Sequence, residues 1–416
     1  GIILTNSLMT ASHAAGKGSV PDAVFAVLQK ANAAIAAIGK DKVVNASIGT
    51  IYDENEKFTY FSTVLDYLHQ AAPEEMMNYA PISGLPEFLS SAIDQIFQGN
   101  QPENTFAKAV ATPGGTGAIR HVFVNYLEPG QKALVPDWFW GNYRTIAEEH
   151  MRSIETFTMF DEENKFNIPS LKEKATQLLA AQDNLVIVFN SPAHNPTGHS
   201  LTEKEWTEVI DFLKECAGDK HKKITILLDI AYIDYAGEPQ ATRNFFRIFS
   251  GLPENMFLAI AYSMSKSFLI YGMRSGALVG LSSSEEVVEE FSRVNSISNR
   301  GVWSNGTRGA QRLLVDVAKN PDLKAKIEKE RAGFRELMNK RADIFMEEAN
   351  DVGLKTFPYQ SGFFIAVPAP NPQAATEKLT ADHIYALHLK KGIRVAICGI
   401  PTYKIPGIAT KIKSAL

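Results

Sequence analysis

The middle of the chain contains five short apolar runs that predict buried β-strands. Nearly every position in them is apolar, whereas a strand with one wet face would alternate apolar and polar residues. Helical patterns lie between them, such as the apolar face that runs from Trp206 to Leu213. The runs occupy residues 132–136, 185–189, 224–228, 257–261 and 276–280.

This succession predicts an α/β fold with a mostly parallel, doubly wound sheet. The run at 276–280 follows the run at 257–261 too closely for a helical crossover, so we expect it to be antiparallel or at a sheet edge. After about Ser304 a long charged helical pattern and short strands predict a smaller α+β lobe. The predicted division is an N-terminal segment (1–55) that joins the small domain, a large domain (56–305) and a small C-terminal domain (306–416).

Composition narrows the possible classes of function. The 416 residues include 42 basic and 46 acidic side chains, and the net charge of -4 argues against a general nucleic-acid binder. The chain has no apolar run of about 18 residues and no signal-peptide pattern, so we expect no membrane span and a cytoplasmic location. Cys216 and Cys398 are expected to be buried free thiols.

Polar side chains follow three of the predicted strands, at the end where open α/β sheets bind ligands. Asn190 follows the second run, Asp229 the third, and Lys266 lies shortly after the fourth. Asp229 alone is also explained as a turn or helix-capping residue, because a buried carboxylate is costly without a cationic partner. The equivalent position of Lys266 on a nearby strand favours a functional pair.

A glycine-rich segment, residues 112–120, opens a helical pattern. Backbone amides at such a helix N-terminus can bind a phosphate, although a tight turn would explain the same sequence. Trp138 and Trp140 follow another strand, where an indole either fills a core or stacks on a flat cofactor ring. A phosphorylated aromatic aldehyde that forms a Schiff base with lysine requires all of these groups together: an anion-binding site, a lysine, a carboxylate and an indole.

With these motifs in this order, the chain resembles the class I aminotransferases, and most closely their aspartate/aromatic subgroup. The resemblance extends from about Asn45 to Gly399 and includes the motifs at 195–198 and 263–266. It implies fold type I, whose mostly parallel sheet has seven strands, and pyridoxal 5'-phosphate as the cofactor. It also implies a homodimer with shared active sites, because residues 78–85 resemble the segment whose tyrosine reaches the neighbouring subunit's phosphate.

The resemblance implies a role for each matching residue. Lys266, Asp229 and Tyr232 are the expected catalytic residues, with Lys266 forming the internal aldimine and Asp229 holding the ring nitrogen. The expected cofactor-binding residues are Gly115, Thr116, Trp140, Asn195, Asp229, Tyr232, Ser263, Lys266, Arg274 and, from the neighbouring subunit, Tyr79. No metal site is expected, since His194 and His199 have no cysteine partners.

Two arginines are expected to select the substrate. Arg394 resembles the family's anchor for the α-carboxylate, and Arg300 resembles the residue that crosses the dimer interface to a side-chain carboxylate. Arg300 is alternatively a solvated loop cation, and Phe364 either lines the substrate pocket or fills a strand core. The full expected substrate set is Arg394, Arg300, Gly49, Asn195, Trp140 and Phe364.

Three departures from the family pattern weaken a prediction of strict aspartate specificity. They are Gly114 at a phosphate-binding serine, Gly306 and Thr307 at two prolines, and Ala396 at a common asparagine. The expected activity is ping-pong transfer of an amino group between an L-amino acid (aspartate, glutamate or aromatic) and a 2-oxo acid. The alternatives are a β-lyase or another enzyme with the same cofactor, and a non-catalytic regulator that binds the cofactor or an amino acid.

Overall fold

The computed structural model describes residues 6–416, which divide into two compact units. The larger unit contains residues 59–339 and 358–362; the smaller contains the described residues up to 58 together with 340–357 and 363–416. The strands in the described chain are β1 (Val44–Ala46), β2 (Phe106–Pro113), β3 (Lys132–Pro136), β4 (Ser153–Phe157), β5 (Asn184–Asn190), β6 (Lys223–Asp229), β7 (Met256–Ser263), β8 (Ser275–Ser282), β9 (Phe364–Pro368), β10 (Ile384–His388) and β11 (Gly392–Ala396).

The α-helices of the described chain follow the alternating pattern between β2 and β8 and become dominant after β8. Short 3₁₀ helices add further turns, including Ile233–Tyr235 and Tyr271–Met273. The α-helices are α1 (Ala23–Ile38), α2 (Ser62–Gln70), α3 (Pro73–Met77), α4 (Pro86–Phe97), α5 (Gly114–Tyr126), α6 (Asn142–Glu149), α7 (Ile168–Ala181), α8 (Glu203–Cys216), α9 (Met264–Ser267), α10 (Glu285–Val302), α11 (Gly309–Lys319), α12 (Pro321–Asp351), α13 (Pro372–Thr380) and α14 (Ile408–Ala415).

The larger unit contains a seven-stranded sheet in the order β2-β8-β7-β6-β5-β3-β4. Strands β4, β3, β5, β6 and β7 pair in parallel, while β8 is antiparallel to both of its neighbours. All eight residues of β7 and of β8 are buried, and because neighbouring side chains point to opposite faces, both faces are covered. The predicted mostly parallel α/β sheet and the antiparallel run at 276–280 are therefore confirmed.

Helix α8 shows how the sequence pattern becomes packing. Thr202 and Glu205 form a capping box at its N-terminus, in which each side chain accepts a hydrogen bond from the other residue's backbone N–H. The predicted apolar face, from Trp206 to Leu213, is buried. The Trp206 ring stacks on Phe245 with a centroid separation of 5.5 Å.

The smaller unit contains a four-stranded sheet in the order β1-β10-β11-β9. Strand β1 pairs with β10 in parallel, and the other two pairings are antiparallel. The sheet thus combines a strand near one end of the described chain with three strands near the other.

The predicted boundary at residue 305 differs from the observed division, because residues 306–339 lie in the larger unit. Helix α11 buries Leu313 and Leu314, and Gln311 Oε1 accepts a hydrogen bond from the backbone N–H of Leu85 at 2.8 Å. The change of unit occurs inside α12, between residues 339 and 340. Neither glycine nor proline lies at this position, and Asn339 alone does not interrupt the helical pattern.

Two further features complete the description. Cys216 and Cys398 form no disulfide; Cys398 is buried as expected, while Cys216 is half-buried. Within residues 6–416, every helix is either too short or too polar to traverse a bilayer.

Candidate active site

The carboxyl ends of β5 and β6 place two polar residues side by side. Asn190 and Asp229 are partners in the parallel register. Asn190 Nδ2 donates a hydrogen bond to the backbone carbonyl of Asp229 at 2.9 Å, and Asn190 Oδ1 accepts one from the N–H of Asn195 at 2.7 Å. Asn190 therefore fixes the end of β6 relative to the loop that carries Asn195.

The Asp229 carboxylate lies at the end of β6 and is 6% exposed. Tyr143 Oη donates a hydrogen bond to Asp229 Oδ2 at 2.5 Å, and the N–H of Ala231 donates to Oδ1 at 3.2 Å. Burial raises the pKa of Asp229, while these two donors and the charge of Lys266 lower it, and the net shift is upward. The carboxylate thus depends on its donors to remain ionised.

Lys266 lies on α9, directly after β7. Its Nζ is 4.7 Å from the centroid of the Tyr271 ring and 5.9 Å from that of Tyr232. Aromatic faces attract an ammonium group at such distances. Both rings therefore lie beside the amine that the sequence singled out.

A second group of side chains forms around the start of α5. Gly114 has φ +68°, and a Cβ built on it would lie 2.8 Å from Arg274 Nη2. Any other residue at this position would displace the guanidinium, which gives a physical reason for the glycine where the family has serine. Arg274 Nη1 in turn donates a hydrogen bond to Ser265 Oγ at 3.3 Å. A cation, hydroxyls and the backbone amides of the first turn of α5 make a suitable anion site.

Many of these groups line one cavity of about 170 Å³ in the larger unit. Nine of the predicted residues contribute to its wall: Gly115, Thr116, Trp140, Asn195, Asp229, Tyr232, Ser263, Lys266 and Arg274. Ile119, Asn190, Ala231, Ser265 and Tyr271 line it as well.

The smaller unit brings three predicted residues together in a separate cluster. The guanidinium carbon of Arg394 lies 4.2 Å from the centroid of the Phe364 ring, and Arg394 Nη2 donates a hydrogen bond to the carbonyl of Ser47 at 2.7 Å. A Cβ built on Gly49 would contact Phe364 Cζ at 3.5 Å. Phe364 is buried at the start of β9, and its ring forms a flat support for the guanidinium.

Comparison with known proteins identifies the family. Residues 41–412 match the family model described as aminotransferase class I and II. The chain belongs to this family. The family is pyridoxal-phosphate-dependent, so the protein is a pyridoxal-phosphate-dependent transaminase with fold type I.

Individual relatives agree with this assignment. A crystal structure of an aminotransferase from Anaerococcus prevotii DSM 20548 is 40% identical, covers 98% of each chain and superimposes with a TM-score of 0.95. The mitochondrial aspartate aminotransferase of Schizosaccharomyces pombe is 26% identical over 95% of this chain and 88% of its own. The aromatic-amino-acid aminotransferase of Paracoccus denitrificans is 25% identical over 82% and 84% of the respective chains.

The chemistry of the cavity in this aminotransferase fits pyridoxal 5'-phosphate. Arg274, the serine hydroxyls and the α5 amides suit a phosphate group, and Asp229 suits a protonated ring nitrogen. Trp140 supplies an aromatic wall, and Lys266 supplies the amine. The cavity therefore offers a suitable partner for the phosphate, the ring nitrogen, the ring face and the aldehyde of the cofactor.

Tyr79 and Arg300 lie outside the wall of this cavity. Tyr79 is 75% exposed. Arg300 is exposed in the last turn of α10, and its Nη1 donates hydrogen bonds to Ser304 Oγ at 3.0 Å and Asn305 Oδ1 at 3.1 Å. The expected part of these two residues in a site shared with a second subunit stays a prediction.

Sequence reasoning missed Tyr143 and gave no role to Tyr271 or Ser265. Tyr143 packs its ring edge-on against Trp140 at 5.5 Å, and its backbone N–H donates to the Trp140 carbonyl at 3.0 Å. Its spacing of one helical turn from the predicted stacking indole was the available signal. A buried tyrosine on a helix is usually a core residue, so the spacing alone did not distinguish it.

His194 and His199 are both buried. Burial lowers the pKa of His194 to about 3 and that of His199 to about 4, so both are neutral at pH 7. His199 stacks on Phe166, and neither of its ring nitrogens has a hydrogen-bond partner. Within the described residues, no group of three His, Cys, Asp or Glu side chains could hold a metal ion.

Proposed function

We propose that this aminotransferase transfers an amino group between an L-amino acid (aspartate, glutamate or an aromatic one) and a 2-oxo acid by a ping-pong mechanism. The observation that carries the proposal is the single cavity lined by Lys266, Asp229 and Arg274. These three residues supply the amine, the carboxylate and the phosphate-binding cation that the cofactor needs.

Each residue has a distinct task in this mechanism. Bound pyridoxal phosphate supplies an electron sink for the bond that breaks at the substrate α-carbon. Asp229 accepts a hydrogen bond from the cofactor's ring nitrogen and holds it protonated. Lys266 Nζ would hold the cofactor covalently and, when free of it, would take the proton from the substrate α-carbon and return it to the cofactor's aldehyde carbon.

The remaining cavity residues orient the cofactor. Trp140 stacks on its ring, and Asn195 and Tyr232 bind its phenolic oxygen. Arg274, Ser263 and the backbone of Gly115 and Thr116 bind its phosphate. Support comes from the way Asn190 and Ser265 hold Asn195 and Arg274 in place through hydrogen bonds.

Arg394 binds the α-carboxylate that every amino-acid substrate carries. A guanidinium supported on the Phe364 ring and tied to the Ser47 carbonyl keeps a fixed orientation for a bidentate pair. Gly49 lies beside the Phe364 ring and is assigned to the same substrate pocket. Aspartate and aromatic substrates are both proposed because the similar proteins named above include one of each kind.

A second copy of the chain completes the site. Met77 and Tyr79 line the same surface pocket of the larger unit and are 85% and 75% exposed, and an exposed apolar patch supports a partner surface here. Tyr79 would then reach the partner's phosphate, and Arg300 the distal carboxylate of the partner's substrate.

A panel of amino donors with 2-oxoglutarate as acceptor tests the activity. We expect turnover with aspartate or aromatic donors and a loss of the visible absorbance of the bound cofactor when a donor is added alone. Elimination of ammonia or a side-chain fragment without amino transfer would contradict the proposal and indicate a lyase. Absorbance that does not respond to any donor would indicate a protein that binds the cofactor without using it.

A further inference from the structure

The strongest unassigned contact in the site is the hydrogen bond from Tyr143 to Asp229. The two oxygen atoms are 2.5 Å apart, which lies at the short, charge-assisted end of the range for O–H···O⁻ contacts. Tyr143 is 1% exposed and Asp229 is 6% exposed, so bulk water has little access to the pair. In such a buried, low-dielectric site a single hydrogen-bond donor has a large effect on the ionisation of the carboxylate.

The direction of this hydrogen bond is fixed by chemistry. An ionised carboxylate can only accept, so the tyrosine must donate its proton. Burial and the charge of Asp229 both raise the pKa of Tyr143 well above its ordinary value of 10. The phenol consequently keeps its proton at neutral pH and is the donor to the carboxylate.

The position of Tyr143 is also fixed by its surroundings. It lies in the first turn of α6 and packs edge-on against Trp140, which lines the cavity. The other titratable groups that act on the pair are Lys266, whose charge favours the ionised carboxylate, and Tyr232, which lies near Tyr143. Ala231 supplies the second hydrogen bond to the carboxylate from its backbone.

We infer that Tyr143 is a positioning residue that orients Asp229 and keeps it ionised, so that the carboxylate can hold the ring nitrogen of the cofactor in its protonated form. This inference rests on the proposed role of Asp229. Tyr143 itself acts through Asp229, so its removal should affect ligands that have a ring nitrogen and spare those that lack one.

The test compares two ligands that differ at one atom. Pyridoxal 5'-phosphate and its 1-deaza analogue, in which carbon replaces the ring nitrogen, are titrated into the full-length protein after the cofactor has been removed by dialysis. The ratio of their dissociation constants measures the preference for a ring nitrogen, without any catalytic turnover. We expect Tyr143→Phe to reduce this preference about tenfold, since a hydrogen bond to a charged group is lost.

The pH dependence of the same ratio gives a second readout. A protonated Asp229 loses its attraction for the ring nitrogen, so the preference should decline in acid. Loss of the Tyr143 donor raises the pKa of Asp229, and the midpoint of the decline should therefore move upward by about one pH unit. A residue that only filled space would leave this midpoint unchanged.

Tyr126→Phe is the matched control. Tyr126 lies at the C-terminal end of α5, at the opposite end from the glycine-rich turn that lines the cavity, and its ring is stacked on Phe257. It should keep the wild-type preference and midpoint. An unchanged preference in Tyr143→Phe, or an equal loss of affinity for both ligands, would overturn the inference. Wild-type protein that binds both ligands equally would instead contradict the proposed role of Asp229.

If Tyr143→Phe does not fold, 3-fluorotyrosine incorporated at position 143 retains the shape of the side chain and makes it a stronger donor. The midpoint should then move to lower pH. A midpoint equal to that of the wild-type protein would again overturn the inference.

Discussion

The two units of this aminotransferase carry different parts of the proposed reaction. The larger unit surrounds its cavity with side chains from the ends of β5, β6 and β7, and hydrogen bonds connect many of them to one another. In the smaller unit, the proposed substrate residue Arg394 lies over the Phe364 ring and donates a hydrogen bond to the Ser47 carbonyl. Bond-making chemistry is thus assigned to one unit and recognition of the α-carboxylate to the other.

This difference suggests why substrate preference is harder to infer than chemistry. The cofactor presents a phosphate, a ring nitrogen and an aldehyde to every enzyme that binds it, and each requires a specific partner. A carboxylate requires only a well-oriented guanidinium. Substitutions in the two units should therefore have effects of different kinds as well as sizes.

Lys266→Ala should have the largest effect, because it removes both the covalent attachment and the proton-transfer group. Multiple-turnover transamination should fall by about 10⁴-fold or more, measured with the best donor of the panel. Lys223→Ala is the control, since this exposed lysine begins β6 at the other end of the strand from Asp229. Full multiple-turnover activity in Lys266→Ala would show that its assigned role is wrong.

Arg394→Lys should come next and should affect all donors alike. It keeps the charge but cannot form the bidentate pair, so kcat/KM should fall by about 10³-fold for aspartate and for aromatic donors. The visible absorbance of the bound cofactor should stay at its wild-type position. A shift of that absorbance, or a loss of activity confined to one class of donor, would contradict the assignment of cofactor binding to the larger unit and α-carboxylate binding to the smaller one.

Arg300→Leu should lower the rate with aspartate or glutamate by about 10²-fold, because a charge-assisted pair with the distal carboxylate is lost. Aromatic donors should lose far less in single-turnover half-reactions. Arg293→Leu is the control, because Arg293 is also an exposed arginine of α10. Equal losses with both kinds of donor would contradict the proposal.

Mixed dimers show whether Arg300 acts across an interface. Combining inactive Lys266→Ala subunits with Arg300→Leu subunits should restore aspartate activity, because one of the two sites then has both native residues. If Arg300 acted within its own subunit, mixing would restore nothing.

The smallest effect concerns the stability of the larger unit in acid. His199 has a pKa of about 4 in the folded protein, against 6.5 for an ordinary histidine, so the unfolded chain binds a proton first as the pH falls. The contribution of His199 to the free energy of unfolding is fully present above pH 6.5 and declines toward pH 4. At pH 5 about 2 kcal/mol of it is lost. Urea unfolding at pH 7.5 and 5 should show a smaller difference in His199→Leu than in the wild-type protein. An unchanged difference would contradict this account.

Much of the larger unit could be predicted because most of its strands are continuous apolar runs in the sequence. The runs at 224–228 and 257–261 became β6 and β7, and the polar residues after them line the cavity. The sequence analysis missed strand β2 because the first half of the strand alternates alanine with Phe106 and Lys108, and both of these side chains are exposed.

Other features had no sequence signal of sufficient strength. The role of Tyr143 depends on a contact with Asp229 across 86 positions of sequence, which no local pattern reports. The boundary inside α12 lacks the glycine or proline that usually marks a linker. Conversely, Arg394 and Phe364 were named from the family resemblance, and their stacking appears only once β9 and β11 are paired.

The make-up of the smaller sheet has a consequence for synthesis on the ribosome. Strand β1 emerges early, but its partner β10 is not available until residues 384–388 have been translated. Every strand of the seven-stranded sheet, from β2 to β8, has by then left the exit tunnel and can pair. The cofactor cavity is therefore expected to form during translation. Until β10 has been synthesised, β1 stays unpaired and accessible to chaperones and proteases.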